Sequence, residues 1–234
     1  MSNKSYTELL DKDYKNKENI FILGAGPSLY KNTLDSFFPR LRKYGIIICV
    51  NSSIMAIDPD IFITNDHLVT FWDYWEKVLN SKCIKIVRNS WLKYKDEIKG
   101  FYIFEPRKTK EDIVDFNEKG KLCYCSSVIS ALDFSIQCNN ISKIFLLGVD
   151  QCLDERTGYH HFWENYPISR QPKVSKRIQA NWESQKKVFK YNNMSYKALK
   201  EFAEYKNVEI YNCNENSSVE VFKKIKFEEI ENYL

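Results

Sequence analysis

Residues 20–29 read Ile20-Phe21-Ile22-Leu23-Gly24-Ala25-Gly26-Pro27-Ser28-Leu29. Four consecutive large apolar residues predict a strand that is covered on both faces, as in a parallel sheet. The glycines let backbone amides approach a ligand, and a helix predicted over residues 30–38 would direct its N-terminus at the turn, which favours an anion. An ordinary strand-to-helix turn explains the stretch equally well, because it lacks the third glycine of a dinucleotide fingerprint and the lysine of a P-loop. Three residues of this turn are candidate nucleotide contacts: Gly24, Gly26 and Ser28.

Further apolar runs repeat this strand-like pattern along the chain. They lie at residues 46–50, 60–64, 83–87, 101–104, 143–147 and 208–212, mostly with helical patterns between them, and a terminal helix is expected over residues 219–224. The alternation predicts an α/β fold, a Rossmann-like doubly wound and mostly parallel sheet with helices on both faces and a C-terminal loop and helix lid. We expect residues 1–18 to be a polar lead-in and residues 19–234 to form one domain, with a lid-like segment at residues 151–177.

Composition indicates a globular protein, with 44% hydrophobic and 28% charged residues. The net charge of +4 does not by itself indicate a nucleic-acid partner, and none is expected. The seven cysteines lie mostly in apolar runs, and the first residues are polar, so the sequence predicts a reduced, cytoplasmic protein. The apolar runs are shorter than the roughly 20 residues of a membrane span. A peripheral membrane contact through basic residues stays open.

Polar side chains follow several predicted strands, at the edge where open α/β sheets bind ligands. Asn51 and Ser52 are candidates for hydrogen bonds to a nucleotide ribose or base, or they cap the next helix. Asp66 could hold Mg²⁺ against phosphate oxygens. Asp150 follows the strand at residues 143–147 at the same edge and is a further candidate nucleotide contact. A later helix begins at Ser126 and Ser127, whose hydroxyls cap it or grip a phosphate.

The segment at residues 151–177 is far richer in functional side chains than a connection requires. His160 and His161 lie among four aromatic residues and are candidates for general acid or base catalysis or for ligand contact. A stretch without acids follows from residue 167 to residue 177. Its basic residues form either a solvated helix face or a clamp for an anionic ligand. They are Arg170, Lys173, Lys176 and Arg177.

Three landmarks in this order resemble one superfamily: the glycine turn, the Asn51-Ser52 pair, and the Ser126-Ser127 helix leading to residues 147–150. The superfamily is the Rossmann-like group of motility-accessory-factor flagellin glycosyltransferases, bacterial sialyltransferases and archaeal 6-hydroxymethylpterin diphosphokinases. The resemblance implies a nucleotide-binding transferase, with Gly26, Ser28, Asn51, Ser126 and Ser127 carried over as nucleotide contacts. The catalytic histidine of the sialyltransferases falls here at about Lys190-Tyr191, so a base would come from His160 or His161.

Three hypotheses follow. In the first, the chain transfers a sugar from a nucleotide donor to a small-molecule or glycan hydroxyl, and the basic stretch neutralises the leaving nucleotide. In the second, it transfers pyrophosphate from ATP with Mg²⁺ on Asp66 and Asp150, an interpretation that residues 59–66 support through their similarity to the diphosphokinases. In the third, it is a non-catalytic nucleotide-binding module. The only cofactor implied is Mg²⁺, and only by the second hypothesis.

Overall fold

The computed structural model describes residues 4–10, 17–94, 98–107, 118, 120–175 and 182–234, with the side chains of Tyr94 and residues 182–187 left out. All statements below concern these residues. Lys176 and Arg177 therefore lie outside the described part of the chain, as does most of the charged stretch after Arg107.

The centre of the fold is one sheet, and its ten described strands pair only in parallel. The strand order is β1-β6-β5-β4-β3-β2-β8-β9-β10, and β7 pairs with β6. The strands are β1 Lys4–Ser5, β2 Asn19–Leu23, β3 Ile46–Val50, β4 Ile61–Thr64, β5 Ile84–Arg88, β6 Tyr102–Arg107, β7 Lys121–Cys123, β8 Lys143–Leu147, β9 Glu209–Asn212 and β10 Lys223–Lys224.

The apolar runs of the sequence become the central strands because the sheet has a core on each face. In β2, Ile20 and Ile22 lie in one hydrophobic cluster, whereas Phe21 and Leu23 lie in the other. All four side chains are fully buried. Successive side chains of a strand point to opposite faces, so a strand covered on both sides must be apolar throughout. The predicted α/β class with a doubly wound parallel sheet is thereby confirmed.

The described residues form five α-helices and eight 3₁₀ turns, and the last 3₁₀ turn follows the final strand. The helix of residues 127–137 begins after Ser126, whose Oγ accepts a hydrogen bond from the Ile129 amide at 3.3 Å. The helices are α1 Ser28–Leu34, α2 Leu41–Tyr44, α3 Tyr74–Asn80, α4 Ser127–Gln137 and α5 Trp182–Tyr205. The 3₁₀ turns are Tyr6–Leu9, Phe38–Arg40, Asn51–Met55, His67–Phe71, Asn89–Tyr94, Phe162–Asn165, Ile168–Arg170 and Phe227–Tyr233.

The two ends of the chain differ from the expectation. The terminal helix predicted over residues 219–224 is wrong, since Lys223 and Lys224 pair with β9 as a short edge strand. At the other end, Lys4–Ser5 adds a strand beside β6, and Tyr6 and Leu9 are fully buried in the core. Both edge strands have two residues, which is too short for a hydrophobic period to appear in the sequence.

The topological switch point of the sheet lies between β2 and β8. From β2 the chain adds β3, β4, β5 and β6 in one direction, and β8, β9 and β10 then extend the sheet in the other. In open α/β sheets, ligands bind outside the carboxyl ends of the strands at this switch point. Residues 24–28 and 148–150 leave the sheet there.

Candidate functional site

The glycine turn after β2 packs directly on the loop after β8. The Gly24 amide donates to the Leu147 carbonyl and the Gly26 amide to the Gly148 carbonyl, each at 2.8 Å. A Cβ at Gly24 would lie 2.4 Å from the Gly148 oxygen, and one at Gly26 would lie 2.5 Å from Asp150 Oδ2. Both positions must therefore be glycine, because a side chain at either one would collide with residues 148–150. Both amides are thus already paired within the chain, and the contact of Gly24 and Gly26 with a nucleotide stays a prediction.

The carboxylate of Asp150 accepts hydrogen bonds at the N-terminus of α1. Asp150 Oδ2 accepts a hydrogen bond from the Ser28 amide at 2.8 Å, and its Oδ1 accepts from the Ser28 hydroxyl at 2.6 Å and from Asn214 Nδ2 at 2.7 Å. Asp150 is only 2% exposed. Burial raises the pKa of its carboxyl, while the bonds from Ser28 and Asn214 and the charge of Lys31 oppose that rise. The donors of Ser28 are therefore committed, and its contact with a nucleotide stays a prediction.

A cavity of about 190 Å³ lies beside this turn, between the beginning of α4 and the middle of α5. It brings together predicted site residues from separate parts of the chain. They include Gly26, Ser126, Asp150, His160 and His161. A second pocket, of about 370 Å³, adjoins it through Asp150 and Cys152 and is lined by Ser28, Lys31 and Arg156.

Asn51 is the centre of a hydrogen-bonded cluster at the ends of β3 and β4. Its Oδ1 accepts from Thr64 Oγ1 at 2.9 Å and from Ser127 Oγ at 3.1 Å. Ser127 Oγ in turn accepts from the Asn65 amide at 3.0 Å. Asn51 has a positive φ of 51°, which asparagine tolerates better than most residues. These contacts fix its carboxamide and leave Nδ2 without a partner among the described residues.

The histidine loop is anchored on the same edge. The Phe162 amide donates to the Ala25 carbonyl at 3.1 Å, and Trp163 Nε1 donates to Ser52 Oγ at 3.2 Å. The Phe162 side chain is fully buried. Ser52 therefore holds the loop, and its predicted contact with a nucleotide is untested. These two anchors place His161 against the cavity.

His161 is oriented by Glu164. Its Nδ1 lies 3.3 Å from Glu164 Oε1, while the other carboxylate oxygen accepts from the His160 amide at 2.9 Å. The ring also stacks on Trp163, with centroids 5.0 Å apart. Burial acts to raise the pKa of Glu164, but the hydrogen bonds from His161 and the His160 amide outweigh it and lower the pKa. Since Glu164 takes Nδ1, the Nε2 atom is left for a ligand.

The predicted anion clamp does not lie at the cavity where the structure describes it. Arg170 and Lys173 are exposed, and neither lines the two pockets. The Lys173 carbonyl accepts from the Asp73 amide at 2.9 Å, which ties this segment to the chain after β4. The cations that do line the second pocket are Lys31 and Arg156, which sequence reasoning missed. Glu164 was also missed, although its position three residues after His161 was visible.

The described residues do not fit a Mg²⁺ ion shared by Asp66 and Asp150. Asp66 is exposed and its Oδ1 caps the following turn by accepting from the Leu68 amide at 2.9 Å. Its strand, β4, is three strand spacings from β8, or roughly 14 Å. Within the described ranges, no group of three or more His, Cys, Asp or Glu residues is placed to hold a metal.

A parallel sheet with a cavity at its switch point and a histidine-carboxylate pair beside it defines a Rossmann-like α/β protein with a candidate active site. The family model described as "6-hydroxymethylpterin diphosphokinase MptE-like" matches residues 1–156. The chain belongs to this MptE-like family.

Solved structures of a second transferase resemble the chain. One is the sialyltransferase CstII from Campylobacter jejuni in complex with a substrate analogue, CMP-3FNeuAc, with a TM-score of 0.48, 14% identity, and coverage of 89% of this chain and 86% of that chain. Another is the sialyltransferase CST-II in complex with a trisaccharide acceptor and CMP, with a TM-score of 0.44, 12% identity, and coverage of 88% and 84%. No curated protein matches. The matches are thus to transferases.

The helices that the structure describes include none with both the length and the apolar character needed to cross a bilayer.

Proposed function

We propose that the chain is a nucleotide-dependent transferase that moves a sugar from a nucleotide donor to a hydroxyl acceptor. The observation that carries the proposal is the His161–Glu164 pair, 3.3 Å apart, facing a cavity at the switch point of the sheet. A base for an acceptor hydroxyl needs an imidazole nitrogen aimed at the substrate and a partner that fixes the tautomer. His161 has both.

In this proposal the donor nucleotide lies along the carboxyl edge from Asn51 to the cavity. Asn51 Nδ2 donates to the ribose or base, and the beginning of α4 at Ser126 and Ser127 borders the phosphate. His161 Nε2 takes the proton of the acceptor hydroxyl as its oxygen attacks the sugar carbon, and the bond from that carbon to the nucleotide phosphate breaks. His160 lines the same cavity and contacts the substrate. Neutralisation of the departing phosphate falls to Lys31 and Arg156, which line the adjoining pocket. A contribution from Lys176 and Arg177, outside the described residues, stays a prediction.

The chain has three histidines, which allows a matched test. Donor cleavage is measured as release of free nucleotide from CMP-sugar and UDP-sugar donors with a pool of glycan acceptors, and nucleotide binding is measured separately by calorimetry. We expect His161→Gln to lower kcat by about 10²–10⁴ and to leave the nucleotide Kd unchanged. His67→Gln, whose ring packs on Phe71 and Trp91, is the control and should retain activity. Full activity in a variant that lacks both His160 and His161 would refute the assignment of the base.

The second candidate is pyrophosphoryl transfer from ATP, and the family match over residues 1–156 favours it. Asp66 is the residue that would contact a metal ion in this case, without Asp150. AMP formation from ATP that is abolished by chelation and by Asp66→Asn, with His161→Gln fully active, would establish this function in place of the first. If nucleotides raise the melting temperature but no donor is turned over, the chain is a non-catalytic nucleotide-binding module.

A further inference from the structure

Arg88, the last residue of β5, is a half-buried arginine that has no carboxylate partner among the described residues. The other described arginines differ from it. Arg156 and Arg170 are exposed, and the remaining three each pair with a carboxylate. These pairs are Arg40 with Glu231 at 3.3 Å, Arg42 with Asp60 at 2.7 Å and Arg107 with Asp133 at 3.4 Å. A cation that is partly removed from water needs a counter-ion, and a ligand can supply one.

The guanidinium of Arg88 is held in place by Tyr124. Its Cζ lies 5.3 Å from the centroid of the Tyr124 ring, and its Nε donates to Ser90 Oγ at 2.9 Å, which is its one hydrogen bond to a described residue. On the neighbouring strand, the Glu105 carboxylate accepts from Asn89 Nδ2 instead. A guanidinium that stacks on a ring keeps the donors in its plane available, and its fork matches the two oxygens of a carboxylate or phosphate.

The Arg88–Tyr124 pair lies at the same edge of the sheet as the candidate site. Arg88 ends β5, and Tyr124 follows β7, which runs in the same direction. The Tyr124 carbonyl accepts from Asn65 Nδ2 at 3.1 Å, and the Asn65 amide donates to Ser127 Oγ at 3.0 Å, in the cluster around Asn51. In the sheet, β5 is two strand spacings from β3, or roughly 10 Å, and four from β8, or roughly 19 Å. One phosphate therefore cannot contact both Arg88 and the second pocket.

We propose that Arg88, positioned by Tyr124, binds an oxyanion of the ligand that is separate from the departing phosphate. The oxyanion is a phosphate or a carboxylate, since both present two oxygens to the guanidinium fork. It belongs either to a further phosphate of the nucleotide or to an acidic acceptor. The assignment of the oxyanion to one of these two sources rests on the proposed transferase function, whereas the anion site itself does not.

Binding of inorganic pyrophosphate, measured by calorimetry, tests the site without a nucleotide. The wild type should bind it, and Arg88→Gln should weaken binding about tenfold or more, because charge-assisted hydrogen bonds are lost. Arg88→Lys should fall between the two, since it keeps the charge but loses the fork. Arg40→Gln is the matched control. The Arg40 guanidinium also lies over a ring, 5.2 Å from the Phe37 centroid, but it is paired with Glu231, so this variant loses the same charge and should bind pyrophosphate like the wild type.

Two kinds of ligand pair identify the source of the oxyanion. CTP with CMP and ATP with AMP differ in their phosphates, whereas methyl glucuronide and methyl glucoside, offered with a saturating nucleotide, differ by a carboxylate. The wild type and Arg40→Gln should bind the more anionic member of one kind of pair about tenfold or more tightly, and Arg88→Gln should reduce this preference to about twofold or less.

The outcomes separate this inference from the proposed function. No binding of pyrophosphate to the wild type, equal affinity in Arg88→Gln, or an anion preference that survives in Arg88→Gln would overturn the inference and leave the proposed function intact. Pyrophosphate binding that depends on Arg88, in a protein that binds no nucleotide, would support the anion site and refute the proposed function.

Discussion

Substitution of Asp150 by asparagine tests whether this residue is a structural anchor or a ligand-binding group. Its two carboxylate oxygens accept from the Ser28 amide, the Ser28 hydroxyl and Asn214 Nδ2, at 2.6–2.8 Å. The amide and Asn214 donors meet different oxygens. Whichever way the new carboxamide turns, its NH₂ group therefore faces one of these donors, and at least one hydrogen bond is lost.

The magnitude follows from the burial of the site. A hydrogen bond to a charged group contributes about 1.5–3 kcal/mol, and a buried donor left without an acceptor costs about 1–3 kcal/mol. Together they predict that Asp150→Asn lowers the free energy of unfolding by about 4 kcal/mol. For a chain of this length, about 2–4 °C per kcal/mol then gives a melting temperature lower by roughly 8–16 °C.

The assay is urea unfolding followed by circular dichroism, with Asp154→Asn as the control. Asp154 accepts from the Arg156 amide and from the amide and hydroxyl of Thr157, all at Oδ1, so a carboxamide oxygen can retain all three bonds. The control should lose less than about 1 kcal/mol. If Asp150→Asn is as stable as its control, the three bonds do not anchor the loop after β8, and the explanation given for Ser28 is refuted.

Three further predictions concern stability. Gly26→Ala should lower the free energy of unfolding, measured in urea, by about 1–3 kcal/mol, because its Cβ would lie 2.5 Å from Asp150 Oδ2 and 2.7 Å from the Gly148 oxygen. An unchanged unfolding midpoint would contradict this close packing. Asp133→Leu should lower the free energy of unfolding by about 3–5 kcal/mol, because it leaves the buried Arg107 guanidinium without its carboxylate, 3.4 Å away. Adding Arg107→Met should restore part of this loss. A double variant that is less stable than the single one would contradict the prediction. Glu164 has a lowered pKa, so its contribution to stability is present above its ordinary pKa of 4.5 and is lost as the pH falls through the lowered value. Glu164→Gln should thus be less stable than the wild type near neutral pH, with the two unfolding curves converging in acid, and a constant difference at all pH values would count against the His161–Glu164 pair.

The sequence predicted the elements whose signal is local. The runs at residues 46–50 and 143–147 coincide with β3 and β8, because a strand buried on both faces must be continuously apolar. Ser126 was predicted as the start of a helix because its hydroxyl caps the next turn. Parallel strands also implied that polar residues following them would gather at one edge, and the cavity confirms that Gly26 and Ser126 meet there.

What could not be predicted depends on contacts between distant parts of the chain. Ser28 and Asp150 are 122 residues apart, and no spacing in the sequence shows that one satisfies the donors of the other. The same holds for Arg107, which begins a charged stretch of the sequence but is 1% exposed beside Asp133. Arg88 ends a strand that looks ordinary in sequence, and its position over Tyr124 without a carboxylate from the described residues is visible only in the folded structure.

The central claim is that a nucleotide binds in the cavity between the glycine turn, the beginning of α4 and the middle of α5. Amide hydrogen exchange with and without a saturating nucleotide tests it most directly. Slower exchange is expected in peptides that cover residues 126–130, 148–152 and 189–196, with no change in β1 and β6 at the far side of the sheet. Protection confined to other segments, or none at all with a nucleotide that demonstrably binds, would contradict the account.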